Sequence, residues 1–157
     1  MSQATIREPD WNDPADCEAV VHLIDAYAQE PIEGAQPLPT SSRERLIDGL
    51  RNEPGGLVLL ATVDEQPVGI AVCFRGFSTF AAQPLINIHD LAVLSEHRNR
   101  GIGSRLLEEV CRRARESGAC KVTLEVRQTN EAAQRLYRRH GFGEPNGKAT
   151  LFFDKTL

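Results

Sequence analysis

The chain predicts an α/β fold: a mixed, mostly antiparallel central sheet with helices on both faces. Two β-branched and aliphatic runs, Leu57 to Val63 and Val68 to Phe74, flank Asp64-Glu65-Gln66-Pro67, which reads as a hairpin and demands antiparallel pairing. From Leu85 onward strand-like and helix-like periods alternate, which adds parallel neighbours to the same sheet. At 157 residues, 41% hydrophobic and 25% charged, the chain has the size and balance of one globular domain spanning 1–157.

Thr5 to Arg7 is a short first strand, closed by Pro9 and the Asn12-Asp13-Pro14 turn signal. A helix follows from about Pro14 to Gln29, with Asp13 as N-cap, Pro14 in the first turn, and Cys17, Val20, Val21, Ile24 and Tyr27 or Ala28 at helical spacing. Pro31, Gly34, Pro37 and Pro39 break the chain into a loop. Ser41-Ser42-Arg43-Glu44 has the form of a capping box, and Leu46, Ile47 and Leu50 give a second, shorter helix that Pro54-Gly55-Gly56 halts. After the hairpin, Arg75 to Gln83 reads as a longer connection and Leu85 to Leu94 as a strand. A long helix from about Gly101 to Ser117 carries Ile102, Leu106, Val110 and Ala114 on one stripe, with Gly118 beyond its end. Its solvent face sets Glu108 before Arg112 and Glu109 before Arg113, the favourable order. Lys121 to Val126 is the next strand, Asn130 to His140 the last helix, and Lys148 to Asp154 a final strand.

A net charge of -4 argues against a nucleic-acid partner, which needs a basic face to neutralise phosphate. The longest apolar run is strand-sized, so no membrane span is predicted, and the first eleven residues lack the apolar core of a secretion signal. Cys17, Cys73, Cys111 and Cys120 are scattered, with neither a C-x-x-C pair nor a histidine at zinc spacing. They read as idle thiols of a reducing, cytoplasmic compartment, and no metal site is predicted.

The most informative stretch is Leu91-Ala92-Val93-Leu94-Ser95-Glu96-His97-Arg98-Asn99-Arg100-Gly101-Ile102-Gly103-Ser104: a buried strand, a basic glycine-containing turn and a helix start. Free N–H groups at such a helix N-terminus, close backbone approach at the glycines and charge from Arg98 and Arg100 make an anion site. Two glycines alone would more readily be read as shaping a tight strand-to-helix turn. The dinucleotide fingerprint fails because Leu106 stands where its third glycine belongs. A Walker loop at Gly143-Glu144-Pro145-Asn146-Gly147-Lys148 fails on spacing and on Ala149. A hairpin turn is the better reading there.

Arg98-x-x-Gly101-x-Gly103 resembles the pyrophosphate loop of the GNAT superfamily of acetyl-CoA-dependent N-acetyltransferases. Downstream, Asn130-x-x-Ala133-x-x-Leu136-Tyr137-x-x-x-Gly141-Phe142 is similar to that family's second signature, and the ordered pair covers roughly residues 85 to 143. The resemblance implies the GNAT fold, acetyl-CoA as co-substrate, and coenzyme contacts from Leu91, Ala92, Val93, Arg98, Asn99, Arg100, Gly101, Ile102, Gly103, Ser104, Asn130 and Tyr137. It further implies that the pantetheine arm pairs with Leu91 to Val93 like an added strand, that the Leu91 N–H faces the thioester oxygen, and that Tyr137 protonates the departing sulfur. A homodimer is that family's habit.

Three groups compete for the base that takes the amine's proton. Glu125, in Leu124-Glu125-Val126-Arg127, matches a pattern of ribosomal-protein N-terminal acetyltransferases and is the first choice. His89 and Asp90 fall where polyamine-type enzymes carry Glu-Asp. The acceptor cleft is expected between Glu30 to Ser42 and Arg75 to Gln83, where Glu33 would attract a cation and Phe77 and Phe80 line a slot, with His89 and Asp90 also on the substrate side. The function so implied is direct acetyl transfer to a primary amine of a small or polyamine-like acceptor. A protein or peptide N-acetyltransferase and a non-catalytic acyl-CoA sensor stay open as alternatives.

Overall fold

The computed structural model describes residues 3–157. Five strands, β1 (Thr5–Arg7), β2 (Gly56–Val63), β3 (Gln66–Ser78), β4 (Gln83–Val93) and β5 (Val122–Leu124), lie in sequential order in one sheet. The first four are antiparallel, and β5 runs parallel to β4. The helices are α1 (Pro14–Ala28), α2 (Thr40–Asn52), α3 (Ile102–Glu116) and α4 (Glu131–Arg139), joined in part by single 3-10 turns at Pro31–Glu33, Ser95–His97 and Pro145–Gly147.

Strand alternation divides the core into two layers. Leu59 and Ala61 of β2 with Ala71 and Cys73 of β3 face Ile102, Leu106, Leu107, Val110 and Ala114 of α3, while Val58, Leu60, Ile70 and Val72 face Val20 and Leu23 of α1. Two bulges change the phase. At Ala61/Thr62 the register slips, so that Val68 joins the α3 face two residues before Ile70 points the other way. At Val72/Cys73 it slips again: Val72 opposes Asp90 and Cys73 opposes Ile88, leaving His89 as the extra residue. Ile86 and Ile88 therefore face α3, and beyond the bulge so do Leu91 and Val93.

The first helix begins as its sequence dictates, with the Asp13 carboxylate accepting from the Ala15 N–H at 3.0 Å and Pro14 in the first turn. Two carboxylates of α1 are also buried, which the periodicity did not show. Asp16 takes both guanidinium arms of Arg7 (2.5 and 2.7 Å) and the Asp10 N–H (2.7 Å), and so ties β1 to α1. Asp25 accepts from the Leu38 N–H at 2.8 Å and from Gln29 at 2.9 Å, and pairs with Arg43 at 2.8 Å. It folds the α1–α2 loop over the end of its own helix.

Several expectations need correction. The capping box does not form: α2 starts one residue earlier, at Thr40, without a side-chain cap, which places Ser41 inside the first turn. Arg75 to Gln83 is not a long connection, because β3 and β4 stay paired out to Ser78 and Gln83. The β2–β3 turn is tighter than four residues; Asp64 and Glu65 both have positive φ (48° and 65°), the primed turn whose twist suits a two-residue hairpin. On α3, Glu109 does bind Arg113 at 2.8 Å, whereas Arg112 reaches Glu109 and Glu116 rather than Glu108. Finally, Lys148 to Asp154 is no strand, and the turn before it is a 3-10 turn rather than a hairpin. Among the described residues no strand pairs with that segment, and its side chains are exposed.

Candidate functional site

The parallel ladder between β4 and β5 ends at Ile88 and Leu124, while β4 runs on through Val93 with only β3 beside it. The bulge at His89 bends the strand where its parallel partner stops. The segment Leu91 to Val93 is thus a sheet edge opening between β4 and the Glu125–Arg127 stretch after β5, suited to an extended ligand with amide groups.

Beyond this edge the chain turns through Ser95–His97 into α3. Asn99 (φ 59°) and Gly101 (φ 77°) sit in the left-handed region, and α3 starts at Gly101 without a side-chain cap. Among the described residues, no acceptor meets the N–H groups from Asn99 to Ser104. Free donors and the positive end of a fifteen-residue helix converge there, the arrangement that binds phosphate. The two glycines do different work: a Cβ on Gly101 would meet nothing, so its need is conformational, whereas a Cβ on Gly103 would lie 3.2 Å from Leu136 of α4. Gly103 brings α4 close to the cradle. Arg98 donates from Nε to the Val93 carbonyl (2.9 Å) and pairs with Glu30 (2.6 Å), tying the cradle to the α1–α2 loop; Arg100 is exposed without an ion-pair partner among the described residues.

Asn130 caps α4 by accepting from the Ala133 N–H at 3.1 Å, and this aims Leu136 and Tyr137 at the core layer that also holds Leu91 and Val93. The Tyr137 ring packs beside Phe142, with centroids 6.1 Å apart. Burial, aided by the Glu33 carboxylate, pushes the Tyr137 phenol up to about 12, so it stays a proton donor throughout the neutral range. Facing it is a group of residues that periodicity placed only on an apolar stripe or in a loop. Tyr27 of α1 donates to Glu33 at 3.1 Å, and Arg127 reaches the other Glu33 oxygen at 3.3 Å, so the α1–α2 loop is joined to the segment after β5. Burial first, then Glu33, raises the Tyr27 phenol as well. Asp90 is half-buried, and its carboxyl is raised above the usual range by burial, opposed by His89 and reinforced by Glu33.

The structure thus gathers Leu91, Asp90, Glu33 and Tyr137 around one opening, with Tyr27 and Arg127 as members that sequence reasoning missed. Tyr27 could be noticed only as the one hydroxyl on an otherwise aliphatic stripe. His89 is exposed and packs edge-on against Phe74, with ring centroids 5.5 Å apart. Glu125 is exposed just past the end of β5, without a hydrogen bond or ion pair among the described residues. Phe77 and Phe80 are not brought to the opening. Phe77 opposes Pro84 at the far end of β4, about 20 Å along the strand from Leu91 at ~3.3 Å per residue. Because β3 and β4 remain paired out to Ser78 and Gln83, both rings lie at the far end of that hairpin, exposed.

The model of the Acetyltransferase (GNAT) family matches residues 19–142. An uncharacterized N-acetyltransferase of Archaeoglobus fulgidus is 35% identical over 89 residues, which are 56% of this chain and 60% of that protein. A thialysine N-epsilon-acetyltransferase of Bos taurus is 28% identical over 135 residues, 80% of this chain and 78% of the other. In fold, the chain is similar to an aminoglycoside acetyltransferase from an uncultured soil metagenomic sample, with a TM-score of 0.80, 23% identity, and 98% and 96% of the two chains covered.

Proposed function

Since the chain belongs to the acetyltransferase (GNAT) family, we propose that it moves an acetyl group directly from acetyl-CoA to the primary amine of a small cationic acceptor. The observation that carries this reading is the meeting, at one end of β4, of an unpaired strand edge, an uncapped helix N-terminus and a half-buried phenol. Acetyl-CoA supplies an activated thioester whose sulfur leaves as a thiol once the amine has attacked. The residues present suit such a molecule: N–H groups without acceptors for the diphosphate, an open ladder edge for the pantetheine amides, and no Cβ at Gly103 to keep α4 from the loop.

In this reading the N–H groups of Asn99 to Ser104 bind the diphosphate, Arg100 adds charge, and Arg98 holds the loop in shape through Val93 and Glu30. The backbone from Leu91 to Val93 aligns the acyl arm, and the Leu91 N–H serves the acyl oxygen, where a fixed donor stabilises developing charge. Tyr137, held protonated by burial, gives its proton to the leaving sulfur. Glu33 presents a carboxylate to the ammonium form of the acceptor. Asp90 then takes the proton: its raised pKa moves a carboxylate toward the neutral range where a base works well, and it faces Glu33, whereas Glu125 stands exposed just past β5. A small acceptor is favoured over an extended peptide because Tyr27, Glu33 and Arg127 bridge the cleft from α1 to the segment after β5. The bovine relative is named for acetylating thialysine, a small-molecule amine.

The test is a panel of primary amines assayed for thiol release from acetyl-CoA, beside calorimetry of coenzyme binding. Wild-type protein is expected to bind the coenzyme and to turn over cationic amines faster than neutral ones. Gly101→Val, which cannot hold φ 77° without strain, should lower coenzyme affinity at least about tenfold while the fold is retained. Equal coenzyme affinity in the variant would remove the cradle from this account.

A further inference from the structure

We infer that Arg127 is a specificity-determining residue: in the free protein its guanidinium holds the place on Glu33 that the acceptor's cationic group takes, and it turns out to water as the acceptor enters. This role rests on the reading proposed above, that amines enter between Glu33, Asp90 and Tyr137.

The two sides of the pair are held very differently. Glu33 closes the Pro31–Glu33 turn, its N–H donates to the Glu30 carbonyl at 2.9 Å, and its Oε1 accepts from the Tyr27 phenol at 3.1 Å. Its side chain is only 22% exposed. A carboxylate so fixed and so far withdrawn from water needs a cation at its second oxygen. Arg127 meets that oxygen with one nitrogen, at 3.3 Å, and its side chain is 59% exposed. Charge-assisted bonds between firmly held partners are shorter, roughly 2.7–2.9 Å. Arg98, by contrast, reaches Glu30 at 2.6 Å and anchors its Nε on the Val93 carbonyl at 2.9 Å. An exposed, one-point pair such as that of Arg127 contributes little, so a competing cation exchanges for it readily.

Only the Arg127 side chain has to move. Its carbonyl accepts from the Asn130 N–H at 3.0 Å and from Gln134 Nε2 at 3.1 Å, and the same Gln134 nitrogen holds the Gln128 carbonyl at 2.9 Å. The backbone beneath the guanidinium is therefore fastened to the start of α4. On leaving Glu33 the guanidinium, always charged, regains its water. The exchange is thus one cation for another. A neutral acceptor of the same shape either leaves Arg127 across the cleft or strands the Glu33 carboxylate, and both outcomes count against it. Because the Glu33 charge also acts on Asp90, Tyr137 and Tyr27, a cation kept beside it throughout binding holds the field on those groups steady.

Arg127→Ala in the full chain, with Arg127→Lys and Glu33→Gln beside it, tests this. The probes are pentylamine and its isostere O-butylhydroxylamine, which is uncharged at neutral pH. Arg127→Ala should raise the preference for pentylamine, taken as the ratio of the two kcat/KM values, about three- to fivefold, the scale of one exposed ion pair, with the gain read in KM. Arg127→Lys should keep the ratio near that of wild type, and in the Glu33→Gln background Arg127→Ala should no longer move it. A readout independent of turnover is the Nε–H resonance of Arg127 in wild-type protein with coenzyme A present: pentylamine should shift it to the position of a free arginine, and O-butylhydroxylamine should not. An unchanged or lowered ratio in Arg127→Ala, an equal gain in the Glu33→Gln background, or an Arg127 signal indifferent to saturating pentylamine would each overturn the role given to Arg127. Wild-type protein that releases no thiol with any amine would instead overturn acetyl transfer, and the Arg127 signal would then decide by itself whether the cations exchange.

Discussion

The two faces of the sheet are held by different physics. On one, α3 contributes five buried apolar side chains, Ile102, Leu106, Leu107, Val110 and Ala114, and no charged residue that is buried as a whole. On the other, α1 contributes Val20 and Leu23 but also Asp16 and Asp25, and α2 buries no residue fully. Hydrophobic burial is non-directional and independent of pH, so the α3 face is a rigid base for the loop proposed to bind phosphate. Charge-assisted hydrogen bonds are directional, and through Asp25 they set the loop that presents Glu30 and Glu33. The proposed coenzyme side is thus fixed by packing, and the proposed acceptor side by hydrogen bonds and ion pairs that single substitutions can open.

The largest effect expected from this contrast is on stability. Leu106→Ala, at a fully buried position of α3, should cost about 2–5 kcal/mol by denaturant unfolding. Leu46→Ala on half-buried α2 should cost less than about 1.5 kcal/mol, since little of its surface leaves water. Equal losses would erase the difference between the faces.

Next come the two residues that bring the faces together. Tyr137→Phe should lower kcat about 100-fold, the scale of a lost general acid, with coenzyme affinity unchanged. Asp90→Asn should remove the limb of the pH–rate profile on which activity rises with pH. Its stability should stay equal or rise, because a carboxyl whose folded pKa is raised disfavours the folded state at neutral pH. If the limb survives in Asp90→Asn and vanishes in Glu125→Gln, the exposed carboxylate is the base.

A smaller loss, about 1–3 kcal/mol, is expected for Asp16→Asn, which leaves the Arg7 guanidinium and the Asp10 N–H poorly partnered. The hydrogen bonds from Arg7 hold the Asp16 pKa below its usual 3.8. Its stabilisation is therefore present above about pH 4 and fades as the pH falls through the lower folded value. The gap between wild type and Asp16→Asn should accordingly close in acid; a gap constant down to pH 2 would show that the pair does not act through charge. Leu106→Ala should show no comparable closure.

Local chemistry made most of the elements legible. Asp13-Pro14 started α1 where expected, the Ile102-Leu106-Val110-Ala114 stripe laid α3 on the sheet, Gly118 ended it, and Asn130 capped α4. These signals act within one or two turns of chain, so one sequence suffices to read them. The glycine turn and the Tyr137 signature were readable for the same reason, as contiguous strings. What the chain could not disclose was set by partners distant in sequence. The bulge at His89 exists only against β3, Tyr27 gains its role only when Glu33 folds back on it, and Asp16 and Asp25 are buried only because Arg7, Leu38 and Arg43 come to them. The strand pattern of Lys148 to Asp154 marks the same boundary from the other side: propensity is local, but a strand needs an edge to bind, and an edge is supplied only by residues distant in sequence.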